Sequence, residues 1–144
     1  MKFFELVRQY NHIKYKIFSK INEESELREL GQLPHVDNGG MPGSPGHNSS
    51  PVENYVIRLD EIKQDLEKLN IQLEEVRKNI LKFIDTLDDY FARQCVELVV
   101  FRNTHRPNWK DVARRIGYSE SGTRSLYNSS TLKLEQIEME GLKQ

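Results

Sequence analysis

Residues 52–87 read VENYVIRLDEIKQDLEKLNIQLEEVRKNILKFIDTL, and this stretch carries the strongest periodic signal in the chain. Its apolar side chains follow one another in alternating steps of three and four: Val52, Tyr55, Leu59, Ile62, Leu66, Leu69, Leu73, Val76, Ile80, Phe83 and Leu87. That spacing is the a/d seam of a coiled coil sustained over about five heptads. It predicts one long helix, on the order of 50 Å, whose seam needs a partner.

The 30 residues at the start of the chain predict a second amphipathic helix. Apolar side chains recur there at helical spacing and place one stripe on one face: Phe3, Leu6, Tyr10, Ile13, Ile17, Ile21, Leu27 and Leu30. Gly31 is expected to end this helix. Residues 31–51 (GQLPHVDNGGMPGSPGHNSSP) hold five of the eight glycines and four of the five prolines, which predicts a flexible linker.

Two partners are available for the long seam. The 1–30 helix can fold back antiparallel across the linker, or the same seam can meet a second subunit. A parallel zipper is poorly specified, because the flanking positions offer no attractive ion pair. We therefore expect an N-terminal helical hairpin or coiled coil that also forms a homo-oligomer, with a dimer favoured. The expected oligomer contacts are Leu59, Ile62, Leu66, Leu69, Leu73, Val76 and Ile80.

Residues 88–134 predict a separate helical module, followed by an acidic tail at 135–144. Asp88 or Asp89 can cap its first helix, which should end near Phe101–Arg102. Phe91, Cys95 and Leu98, with Val99 as a further candidate, are expected on the buried side of that helix. Cys95 on this stripe is typical of a small core residue and not of a reactive thiol.

The run NWKDVARRIGYSESGTRSLYNSSTLKLEQI, residues 108–137, has the pattern of a helix-turn-helix. Asn108 is a good N-cap, Gly117 supplies a left-handed position that ends the helix, and Ser119 can cap the next one. Gly122 in the first turn of that second helix costs about 1 kcal/mol of helix propensity, and a helix starting later, at Gly122 or Thr123, is the alternative. The side chains at core spacing are Trp109, Val112, Ala113, Ile116, Thr123, Leu126, Ser130 and Leu134.

This stretch resembles the promoter-reading domain of sigma factors, which shares a small residue, a glycine turn and a serine cap matched here by Ala113, Gly117 and Ser119. Thr123 stands at the usual Val or Ile position of that pattern, and Ser130 where alanine is common. The whole layout resembles the RinA/ArpU-type late transcription regulators of Gram-positive phages, specifically over about 90–130 and only in architecture over 1–87. The resemblance implies a phage regulator that binds promoter DNA, with host RNA polymerase as a possible partner.

Charge supports an anionic partner for the same module. The chain carries a net charge of −1, yet residues 102–133 contain seven Arg and Lys against two acidic residues. Exposed side chains at the start of the second helix are expected in the major groove, and the basic residues before it on phosphate. The expected contacts to double-stranded DNA are Arg106, Lys110, Arg114, Arg115, Ser119, Glu120, Ser121, Arg124, Ser125 and Asn128.

Composition excludes several classes of protein. One cysteine rules out an internal disulfide framework, and no unbroken apolar run suits a signal peptide or a membrane span. The sequence has no nucleophile elbow, phosphate-binding glycine motif, convergent carboxylate set or metal-ligand spacing, so we expect neither an enzyme nor a cofactor. The expectation is an all-α, cytoplasmic protein of a bacterial host cell.

Three functions remain open from the sequence. The first is a sequence-specific transcription regulator acting on late phage promoters. The second is a small terminase subunit, which combines the same two kinds of segment. The reverse order of those segments is commoner in that family, which argues mildly against this function. The third is a coiled-coil adaptor or inhibitor that binds another protein.

Overall fold

The computed structural model describes residues 1–32, 51–102 and 106–138. These residues form five α-helices and no strand, which confirms the all-α class. The helices are α1 (Phe3–Gln32), α2 (Pro51–Ile84), α3 (Tyr90–Arg102), α4 (Trp109–Ile116) and α5 (Glu120–Glu135). None of them, over the residues described, has the length and hydropathy that a membrane span requires.

The structure corrects the predicted end of α1 and confirms the predicted end of α3. α1 continues through Gly31 to Gln32, so the expectation that Gly31 ends it is wrong. A helical glycine costs only about 1 kcal/mol, so it does not by itself stop a helix. α3 ends at Arg102 as expected, and the Asp89 carboxylate accepts from the Phe91 N–H at 3.1 Å, which makes Asp89 the N-terminal cap.

Parts of three predicted segments lie outside the described residues. They are 33–50 of the predicted linker 31–51, 103–105 of the loop before α4, and 139–144 of the predicted acidic tail.

The chain divides into two compact units. Unit 1 consists of Met1–Ile13 and Gln72–Gln144, and unit 2 of Lys14–Ile71. The beginning of α1 and the end of α2 therefore belong to unit 1, together with α3, α4 and α5.

The larger core of unit 1 joins the start of α1 and the end of α2 to the later helices. Phe3 packs on Phe83 with ring centroids 5.9 Å apart, and Tyr10 meets the Phe101 ring edge-on at 5.2 Å. Because early residues of α1 meet late residues of α2, the two helices pair antiparallel here. The buried members are Phe3, Leu6, Tyr10, Val76, Ile80, Phe83, Ile84, Leu87, Ala92, Val96, Val100 and Leu134.

A second, smaller core lies on the neighbouring face of α3. Cys95 and Val99 pack with Val112 and Ile116 of α4, and the half-buried rings of Trp109 and Tyr127 close it. Ala92, Val96 and Val100 face the larger core, so α3 is buried on two adjacent faces. The α4–α5 pair thus rests directly on the helix that follows α2.

The end of α5 also holds the start of α1. The Phe4 N–H donates to the Glu135 carboxylate at 2.7 Å, and the Met1 ammonium lies 3.9 Å from a Glu138 oxygen. Acidic groups stabilise a helix N-terminus because its first N–H groups have no partner within the helix. Leu134 is fully buried beside this contact.

Unit 2 is an antiparallel pair of helices with little buried apolar surface. Lys20 pairs with Asp65 at 3.3 Å, and Arg58 pairs with Glu23, which joins α1 to α2 through charged side chains. Among the described side chains of unit 2, only Ile62 is buried.

The predicted stripe of α1 is wrong at Ile21 and Leu30, which are exposed. The alternation of three and four breaks after Ile17, and half-buried Lys20 and Glu24 take the following inward positions. Val52 is likewise exposed at the start of the α2 seam. The side chains expected at an oligomer contact, from Leu59 to Ile80, are buried or half-buried within a single chain.

Two leucines of α5 give a matched test of the larger core. Leu134 is 0% exposed and Leu132 is 59% exposed. Leu134→Ala should lower the free energy of unfolding by about 2–5 kcal/mol, because it leaves a cavity among the side chains that hold α1. Leu132→Ala should change it by less than about 0.5 kcal/mol. Urea titration followed by circular dichroism measures both, and equal effects would contradict this assignment of the core.

Candidate nucleic-acid interface

The first helix of the candidate interface begins where the sequence predicts. The Asn108 side chain accepts from the Asp111 N–H at 3.2 Å and caps α4. Val112, Ala113 and Ile116 are buried on its inner face, while Trp109 is half-buried. The amphipathic face predicted for this helix is therefore confirmed.

A single glycine makes the turn to the next helix. Gly117 has φ of 76°, and its N–H and that of Tyr118 both donate to the Ala113 carbonyl, at 2.9 and 3.0 Å. A Cβ placed on Gly117 would meet no atom within 4 Å. The requirement for glycine there comes from the left-handed backbone and not from crowding.

The second helix starts at Glu120, so the alternative of a later start is excluded. The Ser119 hydroxyl accepts from the Gly122 N–H at 3.1 Å, as expected of an N-cap. A Cβ on Gly122 would lie 2.9 Å from that hydroxyl, so glycine at this position leaves room for the cap.

Thr123 occupies a buried position where a sigma-like pattern has Val or Ile. Its hydroxyl donates to the Ser119 carbonyl at 2.7 Å, so the polar group is satisfied within its own helix. The side chain is 0% exposed. The core therefore accepts threonine without an unpaired donor.

The ten residues predicted to contact DNA divide into two groups. Arg106, Lys110, Arg114 and Arg115 lie before and along α4, and the other six lie on the cap and the first turns of α5. Nine of the ten are exposed, and Glu120 is half-buried. From Ser121 through Arg124 and Ser125 to Asn128, the exposed polar residues recur at helical spacing along one side of α5.

Two of the arginines are held by one carboxylate. Asp111 accepts from Arg114 at 2.7 Å and from Arg115 at 3.1 Å. The hydrogen bond from Arg115 contributes most to holding the pKa of the Asp111 carboxyl below its usual value, and the hydrogen bond from Arg114 contributes next. Both arginines are exposed and Asp111 is half-buried, so solvent weakens these ion pairs and the arginines are able to exchange the carboxylate for another anion.

Arg124 is restrained by an aromatic contact that the sequence did not indicate. Its guanidinium carbon lies 5.6 Å from the centre of the Trp109 ring. Its Nη2 lies 3.4 Å from a carboxylate oxygen of Glu120. Trp109 itself meets Tyr127 edge-on at 5.4 Å. A guanidinium held in this way loses less conformational freedom when it binds.

An exposed aromatic cluster lies beside the turn and corrects one prediction. Phe91 was expected on the buried side of α3, but it is 41% exposed and lies 5.6 Å from the ring of Tyr118 and 5.5 Å from that of Tyr90. Ala92 and Val96 fill the core in its place, next to Cys95. The spacing of Phe91 with Cys95 and Leu98 did not reveal this shift of the buried face.

Cys95 is a core residue, as the sequence indicates. It is 0% exposed, and its Sγ lies 3.7 Å from the Thr123 carbonyl oxygen. Burial raises the pKa of the thiol to about 11. A neutral, inaccessible thiol does not act as a nucleophile.

No family model, curated protein or solved structure matches this chain. Within the part of the chain that the structure describes, no three His, Cys, Asp or Glu side chains are grouped so that they could hold a metal ion. The function is inferred from the α4–α5 geometry.

The raised pKa of Cys95 predicts a loss of stability at high pH. In the unfolded chain the thiol ionises near pH 9, whereas the folded protein keeps it neutral up to about pH 11. Its contribution is therefore fully present below pH 9 and is lost as the pH rises from 9 to 11. The free energy of unfolding should fall over that interval, and less steeply in Cys95→Ala.

Iodoacetamide labelling supplies the control for this prediction. At pH 8.5 the folded protein should resist alkylation, and the urea-unfolded chain should react fully. Rapid labelling of the folded protein would show that the thiol is accessible.

Proposed function

We propose that this protein is a sequence-specific, double-stranded-DNA-binding transcription regulator. The observation that carries the proposal is the capped α4, the left-handed Gly117 and the Ser119-capped α5, with exposed polar residues on the first turns of α5. A helix-turn-helix of this kind inserts its second helix into the major groove. The resemblance of about 90–130 to sigma-like phage regulators supports late promoters as the target and host RNA polymerase as a partner.

Sequence would be read by the first turns of α5. Arg124 suits a bidentate contact to guanine, and Asn128 one to adenine. Ser121 and Ser125 are short donors for base or phosphate contacts. The Ser119 cap sits at the helix N-terminus, where phosphate is favoured.

Affinity would come from the basic residues around α4. Arg106, Lys110, Arg114 and Arg115 are exposed, and each phosphate contact releases counterions. Arg114 and Arg115 would exchange Asp111 for phosphate on binding. Binding should therefore depend strongly on salt concentration.

We also propose that two copies associate through unit 2. Large apolar side chains of unit 2 stay exposed in one chain, and Ile71 is 70% exposed. Among the described side chains of this unit, only Ile62 is buried. The exposed side chains are Tyr15, Phe18, Ile21, Leu30, Val52, Val56, Ile57 and Ile71. A second copy would cover apolar surface that one chain leaves in water.

Arginine variants separate base reading from phosphate contacts. Arg124→Ala should cost about 1–3 kcal/mol at the specific site and relax one base position. Arg114→Ala and Arg115→Ala should weaken binding to all sequences alike and each reduce the salt slope by about 0.9. Fluorescence anisotropy with specific and random duplexes across a salt series measures both effects.

Arg28→Ala is the matched control, because Arg28 lies on α1 in unit 2 and pairs only with Glu24 among the described residues. Its duplex affinity should equal that of the wild type. If the wild-type protein binds no duplex at any salt concentration, DNA binding is refuted. The exposed apolar surface of unit 2 would then favour the protein-binding adaptor.

Association has its own test in sedimentation velocity. Phe18→Glu or Ile71→Glu should shift the protein from dimer towards monomer, because each places a charge in an apolar contact. Lys16→Glu, also exposed on α1, should leave the mass unchanged. A wild-type protein that stays monomeric on concentration would contradict the proposed dimer.

A further inference from the structure

An open cleft of about 450 Å³ lies in unit 1 among α2, α3 and α4. Each helix contributes an arginine to it: Arg77 from α2, Arg102 from α3 and Arg115 from α4. Leu98 and Phe101 supply its apolar lining, and Gln94 and Glu97 its other polar groups. Arginines that are 13 or more residues apart in the sequence therefore meet around one cavity.

Arg77 is positioned by an aromatic ring that is itself anchored in the core. The guanidinium carbon lies 5.2 Å from the centre of the Phe101 ring, and Tyr10 packs against the same ring edge-on at 5.2 Å. Tyr10 is buried in the larger core. The aromatic contact therefore holds Arg77 at the cleft before any ligand arrives.

The cleft carries an excess of positive charge. Three guanidinium groups against the one carboxylate of Glu97 leave a formal charge of +2. Among the residues that the structure describes, no carboxylate lies within ion-pair distance of Arg77 or Arg102, and Arg115 pairs only with Asp111. An anion that binds Arg77 or Arg102 therefore displaces no acidic partner among the described residues.

We propose that this cleft binds a phosphate-bearing anion. Guanidinium groups match the oxygen geometry of phosphate and bind it through charge-assisted hydrogen bonds. The volume exceeds that of a bare phosphate and suits a ligand of nucleotide size. Arg77 and Arg102 lie outside the set proposed to contact DNA, so the site does not depend on that proposal. Two sources share this chemistry, a free phosphate-bearing small molecule and the backbone of a bound DNA duplex.

Calorimetry on the full chain tests the first source with adenosine monophosphate and adenosine as the probes. The monophosphate should bind and adenosine should not, because the phosphate supplies the recognition. Arg77→Gln and Arg102→Gln should each weaken monophosphate binding about tenfold. Arg77→Lys should recover part of the loss, since it restores charge without the planar guanidinium. Arg28→Gln should have no effect, because Arg28 lies on α1 in unit 2 and does not line the cleft.

The second source is tested with the same variants and a DNA duplex. If the monophosphate does not bind but Arg77→Gln and Arg102→Gln weaken duplex binding while Arg28→Gln does not, the site takes a backbone phosphate. Three results would overturn the proposal. The cleft variants change neither monophosphate binding nor duplex binding, adenosine binds as well as its monophosphate, or Arg28→Gln weakens monophosphate binding as much as the cleft variants do. Because the monophosphate arm uses no DNA, failure of the DNA-binding proposal would be recognised separately. Circular dichroism checks that each exposed-arginine variant is folded.

Discussion

Burial of α3 on two adjacent faces is the constraint on which unit 1 depends. Ala92, Val96 and Val100 pack on the helical pair, and Cys95 and Val99 pack on α4 and α5. All five side chains are short, which allows helices to approach from both sides. Because one helix serves both cores, the position of the Gly117 turn relative to the α1–α2 end is set by packing and not by a linker.

The two units differ in what holds them together. Unit 1 has two buried cores and a carboxylate that caps α1, whereas unit 2 relies on Ile62 and on ion pairs such as Lys20–Asp65. Exposed ion pairs contribute little to stability, because water and salt weaken them. A coiled-coil pattern that looks uniform in the sequence therefore gives a well-packed end and a poorly packed one. The difference arises because α1 brings Phe3, Leu6 and Tyr10 to one end and charged residues to the other.

Sequence reasoning succeeded where the determinant is local. The seam of α2 and the caps at Asn108, Gly117 and Ser119 follow from periodicity and from backbone chemistry within a few residues. It failed at Phe91, because the contact with Tyr118 joins segments 27 residues apart. The stack of Arg124 on Trp109 and the meeting of arginines at the cleft are also tertiary features, and no spacing in the sequence indicates them.

Some arginines of unit 1 already have an acidic partner and others have none among the described residues. This difference affects how much each would gain by binding a phosphate. Arg114, Arg115 and Arg124 already contact Asp111 or Glu120, so a phosphate at any of them replaces an existing ion pair. The direct gain at each is then small, and counterion release would supply most of the proposed affinity for DNA. Arg77 gives up no ion pair among the described residues, and its stack on Phe101 is compatible with an anion at the guanidinium edge. A phosphate at Arg77 would therefore gain its full charge-assisted hydrogen bonds.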